Sequence, residues 1–336
     1  LTFRGLTQQQ MILDVARHEF ADGVATLLLC TLTLIVFVAV GVDGGATEVA
    51  SYSPLMSLLA NATFGIPFVE KSLVVILYIT SVLSLSRATL RTHIYPADTM
   101  AAMALTAVMM LPMVVGPHAL HQVVIMLLSA FALGNMLFCF GPRKSTHRLF
   151  GAMIAAGLLP VVEASLMVVP IAMAIAHIAA RKHLREAIVV VTGILLPLFA
   201  TFYIAWLSGE GFAESALTWW RSATAPIASN MLDTMPIPRL CFFALALFLQ
   251  LVAAIMHYAQ RDTHTATSRG AWRAMQFTLL VVALALIFMP SASDSLLSIG
   301  VILTAAMLPT LFVCSEAIVS TLAYVALIGL AFAAAF

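Results

Sequence analysis

Two features of this chain could carry chemistry at membrane depth: a carboxylate inside a long apolar stretch, and two histidines three residues apart. Glu163 interrupts the apolar run Leu149–Ala180. A charge at membrane depth costs about 2.5–3.5 kcal/mol even on insertion scales, so such a residue is usually paired or functional. There Glu163 would serve as a proton or substrate site on a permeation path. At a turn among lipid headgroups it would instead be hydrated at little cost, and the topology below favours the turn. His118 and His121 open an apolar run and share one face of a helix. A metal site needs at least one further ligand, and the nearest carboxylates by this topology are those of the first loop. The pair reads as polar caps, and no metal is expected.

Asp43 and Glu48 lie in the loop Gly41–Pro67, with Glu70 just after it. Acids placed after a first span are similar to the pattern of membrane glycosyltransferases that use polyprenyl-linked donors. In those enzymes a loop carboxylate acts as base or metal ligand. An ordinary solvated loop accounts for the same residues. Trp219, Trp220 and Arg221 sit in the longest polar connection. The tryptophans read first as anchors at the headgroup level. Joined to Arg221, they could grip a lipid phosphate or sugar pyrophosphate, which a guanidinium binds through two parallel hydrogen bonds. The chain has no glycine-rich phosphate loop, HExxH, GxSxG or paired CxxC, so the catalytic residues are unknown and no cofactor is expected.

Composition decides the class of protein. Of 336 residues 62% are hydrophobic and 9% charged, with a mean hydropathy of +1.06. Soluble domains carry roughly 25% charge. A net charge of +1 gives no basic footprint for nucleic acid. Cys30, Cys139, Cys241 and Cys314 fall in or beside apolar runs and read as small buried hydrophobes. The methionines Met109, Met110 and Met113 read as core filler. The chain opens at Leu1, which leaves the completeness of its N-terminus open; no cleavable signal is evident.

The fold expected is an all-α transmembrane bundle of about 11 spans. An amphipathic interfacial helix over 1–21 precedes a transmembrane domain over 22–336. The spans run approximately 22–41, 67–86, 98–116, 119–140, 149–162, 164–180, 187–208, 239–258, 274–290, 295–312 and 317–336. With the N-terminus cytoplasmic, the inner side holds Arg4, Arg17, Arg87, Arg91, Arg143, Lys144, Arg148, Arg181, Lys182, Arg185, Arg261, Arg269 and Arg273. Only Lys71, Arg221 and Arg239 of the 16 basic residues lie outside, as the positive-inside rule expects.

The same rule bears on Leu149–Ala180. Crossed twice, it offers about 16 residues per helix, or about 24 Å against a ~30 Å hydrocarbon core. Crossed once, it would move the Arg181–Arg185 cluster to the other side and destroy the charge asymmetry. A short hairpin turning near Pro160 and Glu163 is therefore expected, the kind of interrupted segment on which transporters often build a site. The connection Ser208–Pro238 reads as a turn-rich outer loop too short for a domain of its own.

The run Arg181-Lys182-His183-Leu184-Arg185-Glu186 leads into Gly193-Ile194-Leu195-Leu196-Pro197. An apolar hairpin begins after Arg148-Leu149-Phe150, and Pro290-Ser291 comes late in the chain. In these features the chain resembles a family of uncharacterised polytopic membrane proteins of Bacteroidota. The resemblance covers most of the chain and implies the inner membrane of a didermic bacterium. It carries no catalytic residue, since the family's activity is itself unknown.

Three functions are expected, in this order. The first is a non-catalytic component of cell-envelope biogenesis or of a membrane complex. The second is an envelope glycosyltransferase or polymerase acting on lipid-linked sugars through Asp43 or Glu48 with Arg221. The third is a small-solute or lipid transporter using the 149–180 hairpin, with Glu163, Trp219 and Trp220 along the path. The expected partners are the bilayer, other membrane proteins and lipid-linked glycans. The orientation is testable with an impermeant maleimide on intact cells, using a chain whose native cysteines are replaced. Thr218→Cys is expected to label from outside and Arg185→Cys only after lysis; external labelling at 185 overturns the orientation.

Overall fold

In the computed structural model of this chain, residues 20–40, 67–95, 99–115, 118–141, 145–181, 184–209, 211–225, 235–260, 265–289, 294–315 and 317–335 are described. The interfacial helix expected over 1–21 lies outside them, apart from its last two residues, as do Asp43 and Glu48. The described elements are all helical. They are α1 (Phe20–Val40), α2 (Pro67–Thr92), α3 (Ala101–Val114), α4 (Ala119–Cys139) and α5 (Thr146–Val162). After a 3₁₀ turn at Ala164–Met167 come α6 (Val168–Arg181), α7 (Leu184–Leu207), α8 (Phe212–Thr224) and α9 (Ile237–Ala259). The last are α10 (Ala266–Phe288), α11 (Asp294–Met307), α12 (Pro309–Cys314) and α13 (Ala317–Ala335). Among the described residues seven helices are long and apolar enough to cross a membrane, the α11–α12 pair counting as one. Shorter apolar helices cover Asp22–Phe37, Ala101–Val114, Thr146–Val162 and Ala164–Ala180.

Apolar side chains all round a helix mean burial within a bundle or contact with lipid, and this chain uses both. Every residue of α3 is buried, as is 83% of the α11–α12 segment. By contrast α7 and α13 are only 28% buried, and their exposed Leu, Ile, Val and Phe side chains match a lipid environment. The central helices are the short or broken ones. Pro309 lacks an amide donor and ends α11 just before it, giving a short continuation in α12.

Long-range hydrogen bonds show that the helix ends gather in two sets. At one, Tyr95 Oη donates to the Ala306 carbonyl at 2.7 Å, and Ser268 Oγ donates to the Ile94 carbonyl. Burial there pushes the Tyr95 phenol well above its ordinary pKa. At the other, Gln122 of α4 meets Ser298 and Ser295 of α11, at 2.6 and 3.5 Å. Arg239 at the start of α9 reaches Asp294 at 3.8 Å and Met113 Sδ at 3.5 Å. The first set carries most of the described basic residues and is called the basic end below.

Two sequence expectations need correction. Cys241 is exposed on α9 rather than buried. The connection 208–238 contains a regular helix, α8, because 212–224 holds no Pro or Gly and Glu214 favours the helix start. The stretch 149–180 has the expected form: α5 ends at Glu163, whose extended backbone (φ −148°, ψ 119°) turns the chain into α6.

Small residues set the closest approach. A Cβ on Gly157 of α5 would lie 2.5 Å from the Ile194 carbonyl oxygen of α7, and one on Gly193 would lie 2.7 Å from Met153 Cβ. The α5 and α7 backbones therefore meet through paired glycines, as closely packed membrane helices do. Gly157→Ala and Gly193→Val are expected to lower unfolding stability by roughly 1–3 kcal/mol, an overpacking cost. Gly151→Ala, which meets nothing within 4 Å, should not lower it. Denaturation in detergent micelles measures all three.

Candidate functional site

The turn between α5 and α6 gathers polar groups that the sequence keeps far apart. Pro160 stands in the last turn of α5, where carbonyls lose their intrahelical partners. The Trp219 indole of α8 supplies the missing partner, donating to the Pro160 carbonyl at 2.8 Å. Edge-on contacts of Phe202 on α7 with Phe212 and Trp219 hold α8 in place, with ring centroids 5.8 and 6.1 Å apart. Trp219 is thus a tether from α8 to the hairpin tip. Its neighbour Trp220 is 59% exposed and suits the anchoring role. Arg221 is exposed on the same helix.

Glu163 is not a lone carboxylate. His121 Nε2 lies 3.0 Å from its Oε2, and Ser165 Oγ donates to its Oε1 at 2.7 Å. The side chains of His121 and Glu163 are 23% and 24% exposed, so the pair lies at the rim of the bundle. His121 occupies the first turn of α4, which the Gln122–Ser298 bond ties to α11. His118, at the α4 N-cap, is exposed and its side chain makes no capping hydrogen bond. The carboxylate that His121 meets belongs to the hairpin. Among the described residues no three His, Cys, Asp or Glu side chains are grouped to hold a metal ion.

The order of contacts limits what the cluster can do. In an activated nucleophile the hydroxyl donates to an imidazole, which a carboxylate orients from behind. Here the Ser165 hydroxyl donates directly to the carboxylate rather than to the His121 imidazole. The geometry suits holding a proton between imidazole and carboxylate, or fixing α4 to the α5–α6 hairpin.

A second His–carboxylate pair lies at the basic end, where buried His177 of α6 meets Glu186 of α7 at 3.2 Å. His257 of α9 stacks on Trp272 of α10 at 4.1 Å between centroids. Sequence reasoning missed Ser165, Gln122, Ser298 and the Arg239–Asp294 contact. Ser165 was within reach as a hydroxyl two residues beyond the flagged carboxylate; the others are bonds across more than 50 residues with no local mark.

No family model, curated protein or solved structure matches the chain.

Glu163→Leu is expected to lower stability by roughly 1–3 kcal/mol, because His121 and Ser165 each lose their acceptor. Trp219→Phe should cost about 1 kcal/mol by freeing the Pro160 carbonyl. Thermal unfolding of the purified chain measures both, and an unchanged midpoint for Glu163→Leu would show that the cluster holds nothing together.

Proposed function

We propose that this chain is a non-catalytic integral membrane component of cell-envelope biogenesis or of a membrane complex, residing in a bacterial inner membrane. The observation that carries this reading is the set of contacts at the most polar site of the bundle. Glu163 of the hairpin turn accepts the Ser165 hydroxyl and pairs with His121 of α4. That arrangement ties α4 to the hairpin, a structural use of the carboxylate. The basic residues gathered at one end of the bundle and the Bacteroidota resemblance support the inner-membrane placement, with that end cytoplasmic. Seven long and four shorter apolar helices support about 11 crossings, and the distribution of basic residues in the sequence supports a cytoplasmic N-terminus.

A transporter is the second reading, favoured by the partly buried Glu163–His121 pair at the tip of a proline-containing hairpin. The two readings separate by experiment. The chain is extracted with its surrounding lipid from native membranes, without prior solubilisation in harsh detergent, and its mass is measured. A membrane component is expected to come out with a stoichiometric partner, whereas a solitary monomer that retains its cellular role overturns that reading. In proteoliposomes holding a pH indicator, the transporter reading expects proton flux that Glu163→Gln reduces at least to background. Flux equal in wild type and Glu163→Gln overturns transport through this pair.

A further inference from the structure

A half-open groove of about 680 Å³ runs between α6 and α10 at the basic end. That volume lies within the roughly 300–1,000 Å³ typical of small-molecule sites. Arg269 and Arg273 line it one helical turn apart on α10, the first half-buried and the second exposed. Among the described residues that line it there is no carboxylate to neutralise them. The rest of the wall is apolar: Ile175, Ala179 and Ala180 from α6, and Phe277 from α10.

Polarity changes along the groove in one direction. Arg269, Arg273 and Phe277 follow one another at four-residue spacing from the start of α10, so they form a single stripe down the helix. The two arginines mark the end of the bundle, and Phe277 lies about one turn deeper. On antiparallel α6, Ala179 and Ala180 are near the helix end and Ile175 lies deeper. A lipid has this same gradient, a charged headgroup at the interface and a hydrocarbon chain running inward. A free phosphate would meet the arginines and leave the apolar wall uncovered.

We infer that this groove holds one anionic phospholipid, with its phosphate between Arg269 and Arg273 and an acyl chain laid against Ile175, Ala179 and Phe277. Guanidinium groups bind phosphate oxygens in forked pairs, and basic pockets between membrane helices take anionic headgroups. The small Ala179 and Ala180 side chains leave the space that the chain occupies.

The test titrates the purified full chain in detergent with dioleoyl-phosphatidylglycerol and counts retained lipid by native mass spectrometry. Dioleoyl-phosphatidylcholine and inorganic phosphate serve as comparisons. The wild type is expected to retain one phosphatidylglycerol in preference to phosphatidylcholine. Affinity should fall about fivefold for Arg269→Gln or Arg273→Gln alone and about thirtyfold for the double variant. Ala179→Phe keeps both charges but fills the groove, and is also expected to lose the lipid. Arg185→Gln, exposed at the same end but outside the groove, should bind as wild type does. Unchanged binding by the double variant or by Ala179→Phe overturns the inference. So does equal retention of phosphatidylcholine, and so does displacement by millimolar inorganic phosphate, which would make the ligand a soluble anion.

Discussion

The architecture depends on one constraint: a polar group inside a bilayer must find its partner within the protein, because no water is present to supply one. Long helices meet this requirement alone, through their own backbone bonds. Helices that end or break within the bundle cannot, since the last turn of each leaves carbonyls without donors. The Ala306 carbonyl, in the last turn of α11, is met by the Tyr95 hydroxyl, and the Pro160 carbonyl, in the last turn of α5, by the Trp219 indole. Tyr78 also donates to the Ala107 carbonyl, in the middle of α3, at 2.7 Å. The broken and short helices are tolerable because other helices enclose them and bring donors to their ends. This explains why the least regular segments, α3 and α11–α12, are also the most deeply buried.

The same constraint places the Glu163 cluster. The carboxylate at the tip of the short hairpin is held from two directions, by His121 and by the Ser165 hydroxyl. Backbone packing fixes where the tip lies. The Gly157–Gly193 crossing draws α5 against α7, and α8 folds back along α7 through the Phe202 contacts until Trp219 reaches the hairpin. The position of the carboxylate thus follows from two glycines, a phenylalanine and a tryptophan on other turns of the chain.

The two ends of the bundle differ in how they handle charge. Beside the hairpin turn, ionisable side chains meet partners: Glu163 with His121, and Arg239 with Asp294. At the basic end His177 is paired with Glu186 and Arg148 lies over the Phe138 ring, while Arg269 and Arg273 face an open groove. Arginines at a membrane interface suit the anionic surface of a bilayer.

Much of this was legible in the amino-acid order. Apolar run length gave the helices, because burying an unpaired backbone in lipid is so costly that about 20 apolar residues allow little else. The turn at Glu163 followed from the short span of Leu149–Ala180 and from the basic residues that follow it. Helix α8 was not read, since its polar face and neighbouring turn formers hid an amphipathic segment whose apolar side is defined by α7 and the hairpin turn. Nor could any local pattern show that His121 belongs to Glu163, Gln122 to Ser298, or Trp219 to Pro160. Periodicity reports which face of a helix is apolar, but in lipid nearly every face is, so it no longer says which helices are neighbours. Pairing was left to shape: glycines that admit a backbone, and scarce polar groups, each of which had to find another.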